Sequence, residues 1–288
     1  MTQSSARAQT LQSLDRLPKL SPSMTQLLVQ LSQRNCGVQD LAQTLERDPV
    51  LSAQVLRLSN SAIFGRLRPV TSVRHAVAMV GIGAIRKFVL ASSIANLFSR
   101  TKVAANFSIR RFNVHSAATA TLVELLSEEV PFECGEDAFL AGLLHDIGKL
   151  LIAVALPRQY DEILELLAVT GGTLIEAERD VIGIDHAELS GLAVSRWELS
   201  EAIQWAASYH HQPADAIAME RPGARKASLS LGVHCADAYV NHLGMSVLPD
   251  AVAAENKPTL EIPGFTFSQG RVLERFEKEL PRLCDLFH

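Results

Sequence analysis

Apolar residues recur along most of the chain at the three- and four-residue spacing of an amphipathic helix. Met24, Leu27, Leu28 and Leu31 form one such set, and the segment 38–45 repeats it. This spacing places the apolar side chains on one helical face. Stretches that alternate apolar and polar residues, which are typical of strands, are almost absent. The pattern therefore predicts an all-α protein.

Capping residues and helix breakers divide this pattern into separate helices. Asp48 and Pro49 are typical of a helix start, and Thr173 and Glu176 have the spacing of a capping box. The segment 138–155 is expected to form one continuous apolar helix. The other predicted helices are 24–31, 38–45, 49–58, one starting at 71–72, 86–98, 112–129, one ending at 171, one opening at 173, 185–194, 200–208, 228–242 and 269–287.

A polar junction at 99–106 separates two groups of predicted helices. We therefore expect a two-lobed helical bundle with short connections. The predicted organisation is a polar N-terminal segment (1–14), a first helical lobe (15–105), a second helical lobe (106–245) and a C-terminal tail ending in a helix (246–288).

Composition narrows the classes of protein that the chain can represent. Of 288 residues, 48% are hydrophobic and 20% are charged, which favours a packed globular fold over disorder. The 27 basic and 31 acidic side chains give a formal net charge of −4, which argues against a general nucleic-acid binder. The four cysteines are far apart and form no zinc-knuckle or disulfide pattern.

The longest apolar segment, 138–156, is interrupted by His145, Asp146 and Lys149, so it does not resemble a membrane span. The N-terminus is polar and has no apolar core, which argues against a secretory signal. We therefore expect a cytoplasmic protein that does not bind a membrane.

The adjacent pair His145 and Asp146 lies inside this apolar segment, where unpaired polar groups are costly. Its candidate partners on other predicted helices are His115, His186, His210, His211 and Asp237. Imidazoles with carboxylates suit iron, manganese, zinc or nickel, as one or two ions. The same residues could instead satisfy one another by hydrogen bonding, without an ion. Lys149 either reaches a bound phosphate or extends to solvent.

The string 144–149 resembles the signature of the HD superfamily of metal-dependent phosphohydrolases. Separate segments in both lobes sharpen this likeness, and together they resemble the HDOD family, the HD-related output domain. These segments are 17–22, 48–51, 56–61, 72–77, 112–116, 138–148 and 210–213. The resemblance extends over about residues 15–245 and implies an HD-domain-like fold for the second lobe.

The resemblance also implies roles for the candidate ligands. His115, His145, Asp146 and Asp237 match the metal set of the HD superfamily position by position. The residues that match the additional histidines of the related HD-GYP phosphodiesterases are His186, His210 and His211. Those enzymes have a glutamate where this chain has Gln212, and no Gly-Tyr-Pro string follows the histidine pair.

Two functions from different classes follow from this likeness. The first is a stand-alone output domain of bacterial signal transduction, which resembles the output part of response regulators. Such a domain acts by binding a kinase, regulator or effector and not by hydrolysis. This function is compatible with a retained metal site. The alternative is a metal-dependent phosphohydrolase or phosphodiesterase acting on a nucleotide, in which Asp146 serves catalysis through the metal and Lys149 assists phosphate binding.

Overall fold

The structure is a computed structural model that describes residues 3–14, 37–60, 69–97, 101–213, 226–248 and 260–285. No β-strand occurs within these ranges, and their one extended pairing is an isolated parallel bridge between Phe132 and Ala227. The prediction of an all-α fold is confirmed. The predicted helix 24–31 and the motif 17–22 lie outside the described residues.

The described residues form fourteen α-helices and one short 3₁₀ turn at Gly135–Asp137. In chain order the α-helices are α1 Gln3–Leu14, α2 Val38–Glu46, α3 Pro49–Ser59, α4 Val73–Val80, α5 Ile82–Leu97, α6 Ile109–Glu129, α7 Ala138–Leu144, α8 Ile147–Ala155, α9 Pro157–Thr170, α10 Leu174–Ile182, α11 His186–Arg196, α12 Glu201–Tyr209, α13 Leu229–His242 and α14 Gln269–Asp285.

Helices α2 to α5 pack against one another, and α5 also packs against α6 and α7. The carboxylate of Asp48 caps α3 by accepting from the backbone N–H groups of Val50 and Leu51. Asn60, at the end of α3, donates to the carbonyl of Val70 and accepts from its N–H, at 2.8 and 2.7 Å. These two bonds fix the chain where it returns to enter α4.

The helices that follow α5 form a second group. The long helix α6 is at its centre and packs against α7, α13 and α14. Around this centre, α8 packs on α11, and α12 lies between α7, α11 and α13. Two glycines allow close helix contacts. A Cβ added at Gly142 on α7 would lie 2.6 Å from the Cα of Ala120 on α6, and one added at Gly148 on α8 would lie 2.0 Å from the carbonyl oxygen of His186 on α11.

The prediction of one continuous helix over 138–155 is wrong. Helix α7 ends at Leu144 and α8 begins at Ile147, so His145 and Asp146 form the turn between them. The apolar periodicity does not reveal the break, because both halves are almost fully buried. The break allows two adjacent polar side chains to point toward the same place.

The two ends of the described chain both form helices that pack on the second group. Helix α1, which the polar character of segment 1–14 did not predict, lies on α10 and α8. It is anchored by the Arg7–Glu188 ion pair and by the Thr10 hydroxyl, which donates to the carbonyl of Ile182 at 3.1 Å. Helix α14 packs on α6 through the buried side chains of Val272 and Phe276.

Ion pairs add to the packing of α14. Arg271 pairs with Glu129 and Arg275 with Glu128, both on α6. A largely buried cluster joins α14 to two other helices, and its members are Arg86 and Lys87 on α5, Glu124 on α6 and Glu279 on α14. The Lys87 ammonium lies 2.8 Å from the Glu124 carboxylate and 2.7 Å from that of Glu279.

The run Gly135–Ala155 is long and apolar enough to cross a bilayer, but 83% of its most apolar window is buried inside the protein. Val73–Val80 and Ile82–Ile94 meet the same criterion together, across a bend of 114°.

Candidate metal centre

The structure brings all seven sequence-predicted ligands to one place. His115 comes from the second turn of α6, Asp237 from α13, and His186 is the first residue of α11. His145 and Asp146 lie in the turn between α7 and α8, and His210 and His211 directly follow α12. Five segments that are distant in sequence therefore converge, and of the seven side chains only His211 is partly exposed.

Four of these residues form a group that we call the inner subsite: His115, His145, Asp146 and Asp237. Their potential ligand atoms lie within 4.8 Å of one another. The Nε2 atom of His115 is 3.3 Å from Asp146 Oδ2 and 3.2 Å from Asp237 Oδ1. The Nε2 atom of His145 is 3.5 Å from each of the same two oxygens. Two imidazoles thus face two carboxylates across a small enclosed space.

A second set of four residues, here called the outer subsite, consists of Asp146, His186, His210 and His211. Their potential ligand atoms also lie within 4.8 Å of one another. Asp146 Oδ1 is 3.4 Å from His186 Nε2 and 3.5 Å from His210 Nε2. The Nε2 atoms of His186 and His211 are 2.9 Å apart. Asp146 therefore belongs to both subsites, with Oδ2 facing the inner one and Oδ1 facing the outer one.

Hydrogen bonds behind the rings fix the orientation of four histidines. The Nδ1 atoms of His115, His145 and His210 donate to the carbonyls of Met245, Gly142 and Ala207, at 3.1, 2.7 and 2.8 Å. The Nδ1 atom of His186 lies 2.6 Å from the Glu178 carboxylate. When Nδ1 donates in a neutral imidazole, Nε2 keeps its lone pair. All four Nε2 atoms therefore face the centre as potential ligands.

Electrostatics favour ionised carboxylates at this centre. Burial opposes ionisation of Asp146, but the charges of Lys149 and His145 hold its pKa well below the usual value. The pKa of Asp237 is also well below its usual value, because hydrogen bonds from His115 and His145 outweigh its burial. Burial lowers the pKa of His211 to about 2. The centre therefore combines anionic oxygens with a neutral imidazole at His211.

The inner subsite can be satisfied without an ion. Burial lowers the pKa of His115, but hydrogen bonds to Asp146 and Asp237 outweigh this effect and raise it to about 9. A protonated His115 would donate from Nε2 to these two carboxylates. The prediction that the residues could satisfy one another is therefore compatible with the inner group.

The outer subsite leaves polar atoms without partners. Asp146 Oδ1 and His210 Nε2 are buried and lie 3.5 Å apart, and neither atom makes a hydrogen bond. Unpaired buried acceptors of this kind are costly, and a cation placed among them would satisfy both atoms at once. Imidazole nitrogens with a carboxylate oxygen are a suitable donor set for a first-row transition ion. The residues present therefore fit a metal ion.

Lys149 does not extend to solvent. Its side chain is 11% exposed, and Nζ lies 2.5 Å from Asp146 Oδ2. Burial alone would lower the pKa of Lys149, but the charges of Asp146 and Asp237 raise it above the usual value. The expectation of a solvent-exposed ammonium is wrong because the buried carboxylate offers a stronger partner one helical turn away.

Sequence reasoning missed two contacts around the centre. Glu178 on α10 is buried and accepts from both the backbone N–H and the Nδ1 atom of His186. His234 on α13 donates from Nδ1 to the carbonyl of His210 at 2.6 Å. The only sequence signal for Glu178 is its position on the turn following the Thr173 capping box, where a charged residue usually faces solvent.

A profile of the HDOD domain matches residues 17–213 of the chain. The chain is also 22% identical, over 203 residues, to an uncharacterized protein of Treponema pallidum (strain Nichols). That alignment spans 69% of this chain and 38% of the Treponema protein, so the chain corresponds to well under half of its curated relative.

Two solved structures share the fold. One, from Shewanella amazonensis SB2B and described as a candidate phosphohydrolase, has a TM-score of 0.72 at 24% identity and covers 96% of each chain. The other, from Marinobacter aquaeolei VT8 and described as a candidate signal transduction protein, has a TM-score of 0.69 at 19% identity. It covers 99% of this chain and 64% of its own. At these identities the likeness is one of fold.

Proposed function

The chain belongs to the HDOD domain family, and from this premise we propose that it is a bacterial signal-transduction output module that keeps a two-subsite metal centre. The module acts by binding a kinase, regulator or effector, without hydrolysing a substrate. The observation that supports metal retention is the pair of buried, unpartnered atoms in the outer subsite, Asp146 Oδ1 and His210 Nε2.

The ions would be held by this chain's own side chains in two sets that share Asp146. Iron, manganese, zinc and nickel all fit imidazole and carboxylate ligands. Ions in both subsites would together neutralise the ionised Asp146 and Asp237 and would connect five segments of the second lobe. Metal binding of this kind couples directly to folding stability, so occupancy can set the shape that a partner meets.

Enclosure of the centre supports binding without turnover. All four side chains of the inner subsite are buried, and in the outer subsite only His211 is partly exposed. Lys149 is paired with Asp146 and so is occupied by a residue of the protein itself. A hydrolase requires a path for a phosphate ester to reach its metal-bound water. The arrangement therefore favours a structural or regulatory ion.

A specific observation also supports a phosphohydrolase as the second candidate. Asp146 directs one oxygen to each subsite, so that two ions would lie side by side with the Lys149 ammonium next to them. Two adjacent divalent ions polarise a phosphate and lower the pKa of a bound water. Opening of the partly exposed outer subsite at His211 would then admit the substrate.

Metal analysis of untagged protein tests the proposal. Elemental analysis of the wild type and of Asp146→Ala should show near-stoichiometric metal that is lost in the variant. Asp137→Asn is a matched control, because Asp137 is a carboxylate that accepts from Ser200 at 2.6 Å and lies outside the centre. Absence of metal from the wild type, even after incubation with manganese, iron or zinc, would reject the metal centre.

Hydrolysis assays separate the two candidate functions. The metal-loaded wild type is expected to leave phosphate esters and cyclic dinucleotides intact, and to retain a signalling protein during purification from its source cells. Turnover at enzyme-like rates that disappears in Asp146→Ala would instead establish the phosphohydrolase.

A further inference from the structure

Glu178 is a buried carboxylate that belongs to neither ligand group. It lies on α10, is 2% exposed, and its Oε2 atom accepts from the His186 backbone N–H at 2.8 Å and from His186 Nδ1 at 2.6 Å. The start of α10 does not require it, because Thr173 and Glu176 already form the capping box there. Its described hydrogen bonds therefore both go to one residue, His186.

The contact with Glu178 distinguishes His186 from the other oriented histidines of the centre. His115, His145 and His210 each donate from Nδ1 to a backbone carbonyl, whereas His186 donates to a carboxylate. A carboxylate partner fixes the tautomer of a ligating imidazole and makes its other nitrogen a stronger donor to a metal. The Nε2 atom of His186 is the one that faces Asp146 Oδ1 and His211.

We propose that Glu178 is a positioning residue for the outer subsite, which holds His186 in the orientation and tautomer required to bind an ion there. This inference rests on the metal centre proposed above. Removal of a carboxylate behind a metal-bound histidine weakens metal binding about 10- to 100-fold. The inner subsite does not include His186, so its affinity should be unchanged.

Glu178→Gln is the variant that tests this role, because it keeps the shape of the side chain and an oxygen that can accept one hydrogen bond. Zinc titration against a chromophoric chelator would measure the dissociation constant of each subsite. Glu176→Gln is the matched control on the same helix, since Glu176 is exposed and contacts Thr173 rather than the centre. Glu178→Asp, which keeps the carboxyl group but has a shorter reach, should also weaken the outer ion.

Two additional backgrounds assign the effect to a subsite. In Asp237→Ala, which removes an inner ligand, Glu178→Gln should weaken the remaining zinc ion about 10- to 100-fold. In His211→Ala, which removes an outer ligand, Glu178→Gln should leave the remaining ion unaffected. A purely structural role would weaken the remaining ion in both backgrounds and lower the melting temperature without this selectivity.

Each outcome has a distinct meaning. Selective loss of the outer ion in Glu178→Gln, with Glu176→Gln like the wild type, supports the inference. Two ions bound by Glu178→Gln with wild-type affinities, or equal weakening of both, would overturn it and leave the metal centre intact. A wild-type protein that takes up no zinc would overturn the metal centre itself.

Discussion

Replacing Gly148 with alanine should disturb the contact between α8 and α11 more than any other part of the fold. The added Cβ would lie 2.0 Å from the carbonyl oxygen of His186 and 2.9 Å from its Cα, all backbone atoms that cannot rotate away. Ordinary van der Waals contact begins at 3.4 Å, so the two helices must separate by about 1.4 Å at this point. Overpacking of this kind costs about 1–3 kcal/mol.

The same displacement should empty the outer subsite. Metal–ligand distances are held to about 0.2 Å, and His186 would be displaced by several times that amount relative to Asp146. We therefore expect Gly148→Ala to bind one zinc ion less than the wild type. Urea unfolding followed by circular dichroism, together with zinc stoichiometry, measures both effects.

Gly83→Ala is the matched control for this substitution. Gly83 also lies in a helix, but a Cβ there would meet no atom within 4 Å. Gly83 is the second residue of α5, as Gly148 is of α8, and alanine is the better helix former, so this variant should be as stable as the wild type or more stable. If Gly148→Ala kept wild-type stability and both ions, the argument from the close contact between α8 and α11 would be refuted.

Three further predictions concern other parts of the fold. Phe276→Ala should lower the free energy of unfolding by about 3–5 kcal/mol, measured by urea denaturation, because the ring is 1% exposed beneath α14. Thr173→Ala should cost about 1 kcal/mol in the same assay, because it removes the cap of α10; an unchanged midpoint would contradict this. Burial raises the pKa of Cys235 to about 11, so its thiolate fraction should still rise about tenfold per pH unit between pH 8 and 10. The rate of alkylation by iodoacetamide should rise with it. Peptide mapping would detect this, and a rate that levels off near pH 9 would show an ordinary thiol.

Most helix starts could be predicted because their signals are local. Ser72, Thr173, Asp185, Ser200 and Ser228 each accept a backbone hydrogen bond at the start of a helix, as the capping pattern indicates. Side chain and backbone partner are within three residues, so the sequence contains the whole interaction.

The break between α7 and α8 could not be predicted in this way. The residues on both sides of His145 and Asp146 are apolar, and helical periodicity cannot distinguish one buried helix from two. The break is favoured by partners that lie 30 to 92 positions away, such as His115 and Asp237. Only the folded chain brings these partners next to His145 and Asp146.

The ligand candidates could be identified from the sequence because of their residue types and their likeness to a known motif, but Glu178 could not. It follows the pattern of a surface glutamate on an amphipathic helix, and its partner His186 is eight positions away across the turn before α11. Helix α1 was missed for a similar reason, since its contacts, such as that of the Thr10 hydroxyl with the Ile182 carbonyl and that of Arg7 with Glu188, are with residues far along the chain.

The charge cluster that joins α5, α6 and α14 determines which part of the chain can be transplanted as a unit. The HDOD match ends at residue 213, whereas Asp237 and Glu279 lie beyond it. Without α14, Lys87 would lose its contact with Glu279 and would share the carboxylate of Glu124 with Arg86, and the apolar surface that Val272 and Phe276 cover would be exposed to water. A folded domain has only about 5–15 kcal/mol of stability in total. A chimera that fuses this module to a new input domain should therefore retain residues 260–285.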